Sequence, residues 1–435
     1  MSNVKVRAIT IGQTIPIFKI DNVKENGASL EENFKNYSKF NNDLIKDFEH
    51  NNLEVETKRF CTQPLLNYEN QLRNRKNNFE TINLIHEAVS NLNIMIEKYN
   101  FDYFASCTML PSDLEHYNKF ENVILDEFHK ILMLYPNFFT SFPVVSKAGI
   151  NFPALKAGAK IIKKLSEPEP FNNLRFCIST NVPSNTPFFP ASYHDHSDKG
   201  KFSIALEMAD EVVTIFSEAN TLTEAKINLR NRFLEIYDLI LNICEKVAQK
   251  YGIEFSGIDF SPAPFPELKR SIGTAIEELG IEYFGANGSM LGAALITNAI
   301  PKHKEKVLGF SGLMQPVFED YTIAKRLSEN KLNLDSLLLY STVCGTGLDC
   351  IPLPGEISER ELFYILLDIA TLSITHSNKP LTSRLMPIPG KKAGDDVIFD
   401  FEYFAPSKVI EFRRLGHPRK NDLFNRDENT FNFHT

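Results

Sequence analysis

The sequence predicts an α/β protein that is barrel-like or large and mixed, and two features of the chain predict it. Short runs of β-branched and aromatic residues alternate with longer stretches whose apolar residues recur at helical spacing. That alternation is typical of a parallel sheet with helices outside it. The strands are too many for a small open sheet, and no Pro/Ser-rich linker divides the 435 residues. We therefore expect residues 1–435 to form a single α/β barrel-like domain.

The predicted elements follow one another along the chain as strand and then helix. The predicted strands are residues 4–11, 53–57, 102–106, 174–179, 254–260 and 306–310, with extended segments at 381–387 and 397–404. The predicted helices are residues 29–48, 79–99, 113–134, 152–165, 222–251, 268–279, 288–299 and 358–375. Ser29, with Glu32 three residues later, has the pattern of a capping box and is expected to begin the first helix.

Composition excludes several classes of protein. The net charge of -8 disfavours nucleic acids and membrane surfaces as partners, because both attract basic proteins. No stretch approaches the roughly twenty apolar residues that span a bilayer, and the first residues lack the apolar core of a signal peptide. The six cysteines are scattered without a C-x-x-C pair, as expected for free thiols in a reducing compartment. These features predict a cytoplasmic protein.

The segment from residue 341 to residue 355 is the strongest candidate for a functional loop. Cys344, Gly345, Gly347 and Asp349 lie within six consecutive residues, before a Pro-Gly turn. Glycine and an aspartate at such density indicate a backbone that approaches a ligand closely. Cys344 is a candidate nucleophile, although a packed thiol is the common alternative. Asp349 is better suited to bind a ligand than to lie in the hydrophobic core.

A second candidate loop opens the predicted helix at residues 288–299. Asn287, Gly288 and Ser289 follow a strand-like run and place backbone N–H groups at a helix N-terminus, where an anion binds well. Close packing of the small residues explains them equally well.

Asp259 ends a predicted strand, where α/β folds place ligand sites. It is a candidate base, metal ligand or substrate anchor, with capping of the next turn as the alternative.

Long loops and isolated cations supply the remaining candidates. His194 lies in the irregular loop 181–195 and suits acid/base work, or a metal if it pairs with His196, while a solvated surface turn explains it equally well. Four cations are candidates for holding a negatively charged substrate, and for Arg384 and Arg7 an internal salt bridge is the alternative. They are Arg7, Lys147, Lys379 and Arg384.

Several of these segments together resemble a known family, the one labelled domain of unknown function 711, which occurs in bacteria and archaea. The matching segments are residues 1–11, 146–152, 257–264, 309–312 and 344–349, and the pair 405–406. The resemblance implies a large α/β barrel similar to that of pyruvate formate-lyase and other glycyl radical enzymes. The chain lacks their R-V-x-G-aromatic loop, since the nearest segment is Arg414-Leu415-Gly416-His417. It also lacks their paired cysteines, so we expect no glycyl radical chemistry.

Two classes of function follow from these candidates. The first is an enzyme of the lyase or hydrolase type that acts on a small anionic metabolite in a pocket at the mouth of the barrel. Its catalytic groups would be Asp259, Asp349, Cys344 and His194. The second is a non-catalytic binding or sensor protein that uses the same pocket. The sequence leaves the cofactor unknown and a divalent metal open, commits no residue as a metal ligand, and leaves a homo-oligomer open.

Overall fold

The computed structural model describes the backbone of most of the chain. The described residues are 4–15, 23–66, 78–119, 122–195, 197, 199–425 and 429–433. His196, the proposed partner of His194, lies outside them.

Strands and helices alternate along the chain, as the sequence predicts. The strands are β1 (Lys5–Gly12), β2 (Lys58–Cys61), β3 (Tyr103–Cys107), β4 (Phe138–Pro143), β5 (Val145–Ser146), β6 (Gly149–Asn151), β7 (Phe176–Thr180), β8 (Lys201–Glu207), β9 (Glu254–Ala263), β10 (Gly347–Pro354), β11 (Leu381–Ile388), β12 (Asp396–Val397), β13 (Ser407–Lys408) and β14 (Thr430–Phe431). The α-helices are α1 (Val23–His50), α2 (Asn78–Lys98), α3 (Asn122–Leu134), α4 (Phe152–Ser166), α5 (Ala209–Glu218), α6 (Leu222–Tyr251), α7 (Ile272–Glu278), α8 (Ser289–Ala299), α9 (Tyr321–Ser328), α10 (Leu334–Tyr340) and α11 (Glu359–Thr375). Short 3-10 helices cover Pro111–Lys119, Pro170–Arg175, Leu268–Arg270 and Leu423–Asn425.

Nine of these strands form one large sheet in the order β10-β11-β7-β4-β3-β2-β1-β8-β9. The five central strands β7, β4, β3, β2 and β1 run parallel to one another. A parallel pair flanks them on each side, β8 with β9 and β10 with β11, and each pair joins the centre through one antiparallel contact. The fold is therefore mixed α/β with a large, mostly parallel sheet.

The segment after residue 305 touches both edges of this sheet. Val307 forms an isolated parallel bridge with Ile258 of β9, and Pro316 forms another with Asp349 of β10. These single bridges are not a ladder, so the described residues show no closed barrel. The segment 306–310, which the sequence predicts as a strand, contributes only the bridge at Val307.

The two faces of the sheet carry different residues. On one face, large side chains such as Phe60, Phe104 and Phe202 are fully buried in the main hydrophobic core. A second, small cluster contains Ala8 and Ala205 together with Phe310 and other residues from the connecting loops. Cys177, Ala263 and Phe310 of this cluster also line the cavity described below.

The strongest helix predictions are confirmed because local signals fix them. Helix α6 has the predicted bounds; the side chain of Thr221 accepts a hydrogen bond at its N-cap, and Gly252 ends it with φ 67°. Helix α11 begins after Ser358, whose capping box with Glu361 is complete. The capping box predicted at Ser29 is wrong, because helix α1 already begins at Val23.

Other boundaries differ from the predictions. The second strand begins at Lys58 and not at residue 53, where Val55 makes only an isolated bridge to Val6. The predicted helix 113–134 is divided into a 3-10 helix and α3, and the predicted helix 268–279 into a 3-10 helix and α7. The glycine-rich segment predicted as a loop becomes strand β10 from Gly347 onward.

Candidate functional site

A cavity of about 350 Å³ lies where β2, β3, β4 and β7 begin. Arg59, Tyr103, Phe139 and Cys177 line it from these strands, and Ala263 lines it from the end of β9. Its volume is in the range of small-molecule sites. The central parallel strands thus present their amino ends to the cavity. The pair β8–β9 runs antiparallel to them, so it presents its carboxyl end there.

One wall of the cavity is a network of buried ion pairs centred on Arg7. Its guanidinium donates to Glu56 at 3.0 Å, to Glu207 at 2.9 Å and to Glu319 at 3.3 Å. Although burial disfavours its charge, these carboxylates raise the pKa of Arg7. Arg7 therefore has three carboxylate partners and holds the wall together.

Arg384 extends this network. Its Nε donates to Asp349 at 2.5 Å and its Nη2 donates to Glu319 at 2.8 Å. Burial favours the neutral form of Glu319, but Arg384 and Arg7 together lower its pKa. Burial raises the pKa of Asp349, and Arg384 offsets that effect only in part. Two neighbouring carboxyl groups thus have pKa values pushed in opposite directions.

Glu207 lies just behind the wall. It pairs with both Arg7 and Arg270. Burial is the largest cause that raises the pKa of Glu207 to about 7, against the attraction of Arg7. Burial thus favours the neutral form of this carboxyl group, and the two arginines oppose that effect.

Arg59 differs from these arginines, because none of the described residues pairs its guanidinium with a carboxylate. Its Nε donates to Thr57 Oγ1 at 2.9 Å, and the guanidinium lies 5.1 Å from the centroid of the Phe189 ring. Burial lowers the pKa of Arg59 to about 10, which still leaves it charged at neutral pH. Its remaining N–H groups are available to a ligand.

Arg175 also lines the cavity without a carboxylate partner in the described ranges, but its donors are used. It donates to the carbonyls of Leu132 and Tyr135 and to Asn172. Burial lowers the pKa of Arg175 to about 10. It adds positive charge to the cavity, while its hydrogen bonds hold the end of α3.

Aromatic rings form most of the other walls. Phe139 packs edge-on against Tyr103 with ring centroids 5.2 Å apart, and its ring is tilted against that of Phe189 at 5.4 Å. On the far side Phe401 and Tyr403 line the cavity, and Tyr403 lies under the guanidinium of Arg7 at 4.6 Å. The cavity is thus apolar and aromatic, with charge confined to the arginine walls.

Three of the residues that the sequence predicts for the site line this cavity, namely Arg7, Asp349 and Arg384. The sequence offered an internal salt bridge as the alternative for Arg384 and Arg7, and both do form salt bridges in the wall. Substrate binding and an internal salt bridge are therefore compatible for Arg7 and Arg384, because the paired groups themselves line the cavity.

Asp259 is fully buried and does not line the cavity. Its carboxylate accepts hydrogen bonds from Ser261 and from the backbone N–H groups of Phe310 and Ser311. It thereby fixes β9 to the segment that follows Gly309, whose positive φ of 69° brings the backbone against the carboxylate. Burial raises the pKa of Asp259 despite these donors. Its visible contacts are structural.

The predicted loop around Cys344 packs beneath the cavity. Cys344 is fully buried, and its Sγ accepts from the backbone N–H of Gly347 at 3.4 Å. Gly345 and Gly312 touch backbone to backbone, so that a side chain on either would collide with the other. These two glycines thus allow the two segments to approach each other closely. Thr346, which follows Gly345, lines the cavity.

Lys379 and His194 also make contacts outside the cavity. Lys379 donates to the carbonyls of Ser341 and Thr342, just after the end of α10. The His194 ring is fully buried and makes hydrogen-bond contacts with Asn185 and the Ser197 carbonyl at 3.0 Å each. Both arrangements stabilise loops.

The other predicted anion site lies on the surface. Lys147 is exposed in the turn between β5 and β6. Asn287 and Gly288 are exposed before α8, while Ser289 is buried and its Oγ accepts from the backbone N–H of Gly285 at 3.1 Å. None of these lines the cavity.

Two other expectations concern metals and radicals. Within the described ranges, no group of three or more His, Cys, Asp or Glu side chains could hold a metal ion. Gly416 is exposed, and its carbonyl accepts from Arg360 at 2.8 Å. It lies among exposed residues and not at the cavity.

Sequence reasoning did not find Arg59, Tyr103, Glu56 and Glu319, which are central to the cavity. Tyr103 begins a short strand and Arg59 is the second residue of another, where a polar residue resembles an ordinary solvent-facing position. Glu319 lies outside the regular elements, and its pairing with two arginines from opposite ends of the chain leaves no local pattern. A charged residue within an otherwise apolar strand, as for Arg384, was the one usable signal.

The fold and the cavity define a mixed α/β protein with an arginine-lined interior cavity. A family model described as "Uncharacterised ACR (DUF711)" matches residues 1–403. The chain therefore belongs to the DUF711 family, as the resemblance of its segments predicted.

Relatives from archaea and bacteria agree with this assignment. The chain is 30% identical over 264 residues to a UPF0210 protein of Pyrobaculum arsenaticum, covering 57% of this chain and 56% of that protein. It is 32% identical over 255 residues to one of Pyrobaculum aerophilum, with 57% and 56% covered. It is 29% identical over 296 residues to one of Oenococcus oeni, with 64% of each covered. The matches thus span less than two thirds of these relatives.

None of the helices in the described part of the chain is both long enough and apolar enough to cross a membrane.

Proposed function

We propose that the protein is an enzyme of the lyase or hydrolase type that binds a small anionic metabolite in the arginine-lined cavity. The observation that carries this proposal is Arg59, a charged guanidinium that lines an aromatic cavity without a carboxylate partner among the described residues. Arg59 is half-buried, and a partly desolvated charge without a partner is costly, so a site of this kind is suited to receive an anion.

Glu319 and Asp349 are the proposed acid/base pair. Both line the cavity and both contact Arg384. The pKa of Glu319 is lowered and that of Asp349 is raised, and neighbouring groups with pKa values pushed apart are suited to act as base and acid. In this assignment Glu319 accepts a proton from the substrate or from water, and Asp349 donates one to the leaving group.

A second candidate function is a binding or sensor protein that uses the same cavity. The observation that favours it is that Glu56, Glu319 and Asp349 each pair with an arginine. A carboxylate held by arginines is a weaker base, and turnover would require the ligand to compete for one of these pairs. Both functions need the same anion site, and they differ only in what happens after binding.

We propose further that the segment 306–317 completes the sheet into a barrel similar to that of pyruvate formate-lyase. The two isolated bridges to the edge strands support this. One domain from residue 1 to residue 435 is also proposed, because β14 pairs with β6 and brings residues after 403 onto the body of the protein. The six free, buried cysteines fit the proposed cytoplasmic location.

A thermal-shift screen of small metabolites tests the anion site, with and without added divalent metal. The wild type is compared with Arg59→Gln and with the matched control Arg413→Gln, whose side chain is 85% exposed. We expect anionic compounds to raise the melting temperature of the wild type and of the control, but not that of Arg59→Gln. Anions that stabilise all three proteins equally would contradict the proposal.

Turnover separates the two functions. Each compound that binds is incubated with the protein, and its consumption is followed by NMR. We expect Asp349→Asn and Glu319→Gln to abolish the consumption that the wild type shows. Binding without consumption of any compound would favour the sensor.

A further inference from the structure

We propose that the ligand of this cavity is a monocarboxylic acid with an apolar, preferably aromatic, body, whose carboxylate is held by Arg59 and Tyr103. This inference deepens the proposed function and rests on it, because it names the class of anion that the same cavity takes. It depends on the hydrogen-bond donors, the charge balance and the walls of the cavity.

Arg59 and Tyr103 stand side by side. They are register partners on the parallel strands β2 and β3, and both line the cavity. None of the described residues hydrogen-bonds to the Tyr103 hydroxyl, and Arg59 uses only its Nε. A planar guanidinium fork with a phenol next to it matches the two oxygens of a carboxylate.

The charges that line the cavity leave room for a single negative charge. Four arginines line it, namely Arg7, Arg59, Arg175 and Arg384. The carboxylates that line it are three, namely Glu56, Glu319 and Asp349. Glu207 lies behind the wall with its own extra partner, Arg270. With all three carboxyl groups ionised, these lining charges sum to one positive charge, which a monoanion balances and a dianion exceeds.

The chemistry of the remaining walls matches an apolar body. Next to Arg59 and Tyr103 stand the rings of Phe139 and Phe189, in contact with each other. Aromatic side chains favour edge-to-face or offset contacts with another ring. An aromatic ligand that extends from the carboxylate would bury its ring against these walls.

The lining also distinguishes a carboxylate from a phosphate. Phosphate sites in proteins commonly combine a lysine or several backbone N–H groups of a glycine-rich turn. No lysine and no glycine is among the described residues that line this cavity. The donors available there suit two oxygens in a plane.

Isothermal titration with a set of simple probes tests the proposal. The probes are phenylacetate, its neutral analogue phenylacetamide, the dianions phenyl phosphate and succinate, and the non-aromatic hexanoate. We expect phenylacetate to bind most tightly, and phenylacetamide about tenfold or more weakly, because a hydrogen bond to a charged group is lost. Arg59→Gln should weaken phenylacetate by a similar factor, while Arg413→Gln leaves it unchanged.

Variants with smaller changes guard against loss of the fold. Arg59→Lys keeps the charge but removes the planar fork, and Tyr103→Phe removes only the hydroxyl. We expect each to weaken phenylacetate more than it weakens phenylacetamide, with an unchanged circular dichroism spectrum. Equal weakening of the two probes would contradict the assignment of the carboxylate to this pair.

The outcomes separate this inference from the proposed function. In one outcome, phenyl phosphate or succinate binds more tightly than phenylacetate with the same dependence on Arg59. That result would contradict the assignment of a monocarboxylate ligand and would still support the proposed anion site. Anion binding that does not depend on Arg59, or no binding of any anion, would overturn both.

Discussion

Replacing Arg384 with alanine tests the buried ion-pair network of the cavity wall. The residue is 8% exposed and pairs with Asp349 and Glu319. Glu319 keeps Arg7 at 3.3 Å, whereas Asp349 has no second arginine or lysine within 4.0 Å in the described part of the chain. The substitution thus leaves one uncompensated carboxylate, and breaking one such buried pair lowers the free energy of unfolding by about 3–5 kcal/mol.

The loss should depend on pH, and its sign follows from Asp349. Burial already raises the pKa of this carboxyl group above 3.8, and removal of Arg384 raises it further. A group whose pKa is higher in the folded state stabilises the fold below its unfolded pKa, and this stability is lost as the pH rises through the folded value. We therefore expect Arg384→Ala to lose more stability at about pH 8 than at about pH 5.

Urea denaturation followed by circular dichroism measures this loss, since the chain has no tryptophan for fluorescence. Arg413→Ala is the matched control, because its side chain is 85% exposed and pairs only with Asp335. The double variant Arg384→Met with Asp349→Asn should be more stable than Arg384→Ala at the higher pH, because no lone charge remains at that pair. An unchanged midpoint for Arg384→Ala, or an equal loss at both pH values, would refute the reasoning.

The remaining predictions concern the surroundings of the cavity. Burial raises the pKa of Glu207 from 4.5 to about 7, so the stability that this group contributes is complete below pH 4.5 and is lost as the pH rises through 7. The urea midpoint of the wild type should therefore fall as the pH rises, and it should fall less in Glu207→Gln. Gly345→Ala should lower the free energy of unfolding by about 1–3 kcal/mol, because the new methyl group collides with the backbone of Gly312; an unchanged melting temperature would show that the two segments can separate freely. Cys344→Ser should leave ligand affinity and any turnover unchanged, since the thiol is buried beneath the cavity lining; loss of turnover with intact binding would restore Cys344 as a nucleophile. Lys147→Ala should leave ligand affinity unchanged in titration, because this lysine is exposed in a turn; weaker binding would place it at the site.

Elements with strong local signals could be predicted from the sequence. Strand β1 is a mostly apolar run rich in β-branched residues, and α6 is a long amphipathic helix with a polar N-cap and a terminal glycine, so each is fixed by its own residues. Strand β10 could not be predicted in the same way. Its glycine, two prolines and aspartate resemble a loop, and pairing with β11 imposes the extended form.

The candidate site was predictable only in part for a related reason. Arg7 and Arg384 are charged residues within apolar strands, and that contrast is visible in the sequence. Their common partner Glu319 brings the two ends of the chain together through long-range contacts that no local pattern encodes. The lack of a carboxylate partner for Arg59 in the described structure likewise depends on which neighbours the fold supplies. A lone arginine in sequence does not reveal whether it is paired.

The central claim is that Arg59 receives the negative charge of a ligand in this cavity. A crystal structure with para-bromobenzoate tests it most directly, because the anomalous signal of bromine locates the ring independently of the refined structure. We expect bromine density among the aromatic walls and the carboxylate within about 3 Å of the Arg59 guanidinium. Density at another place on the protein, or a carboxylate turned away from Arg59, would contradict the account.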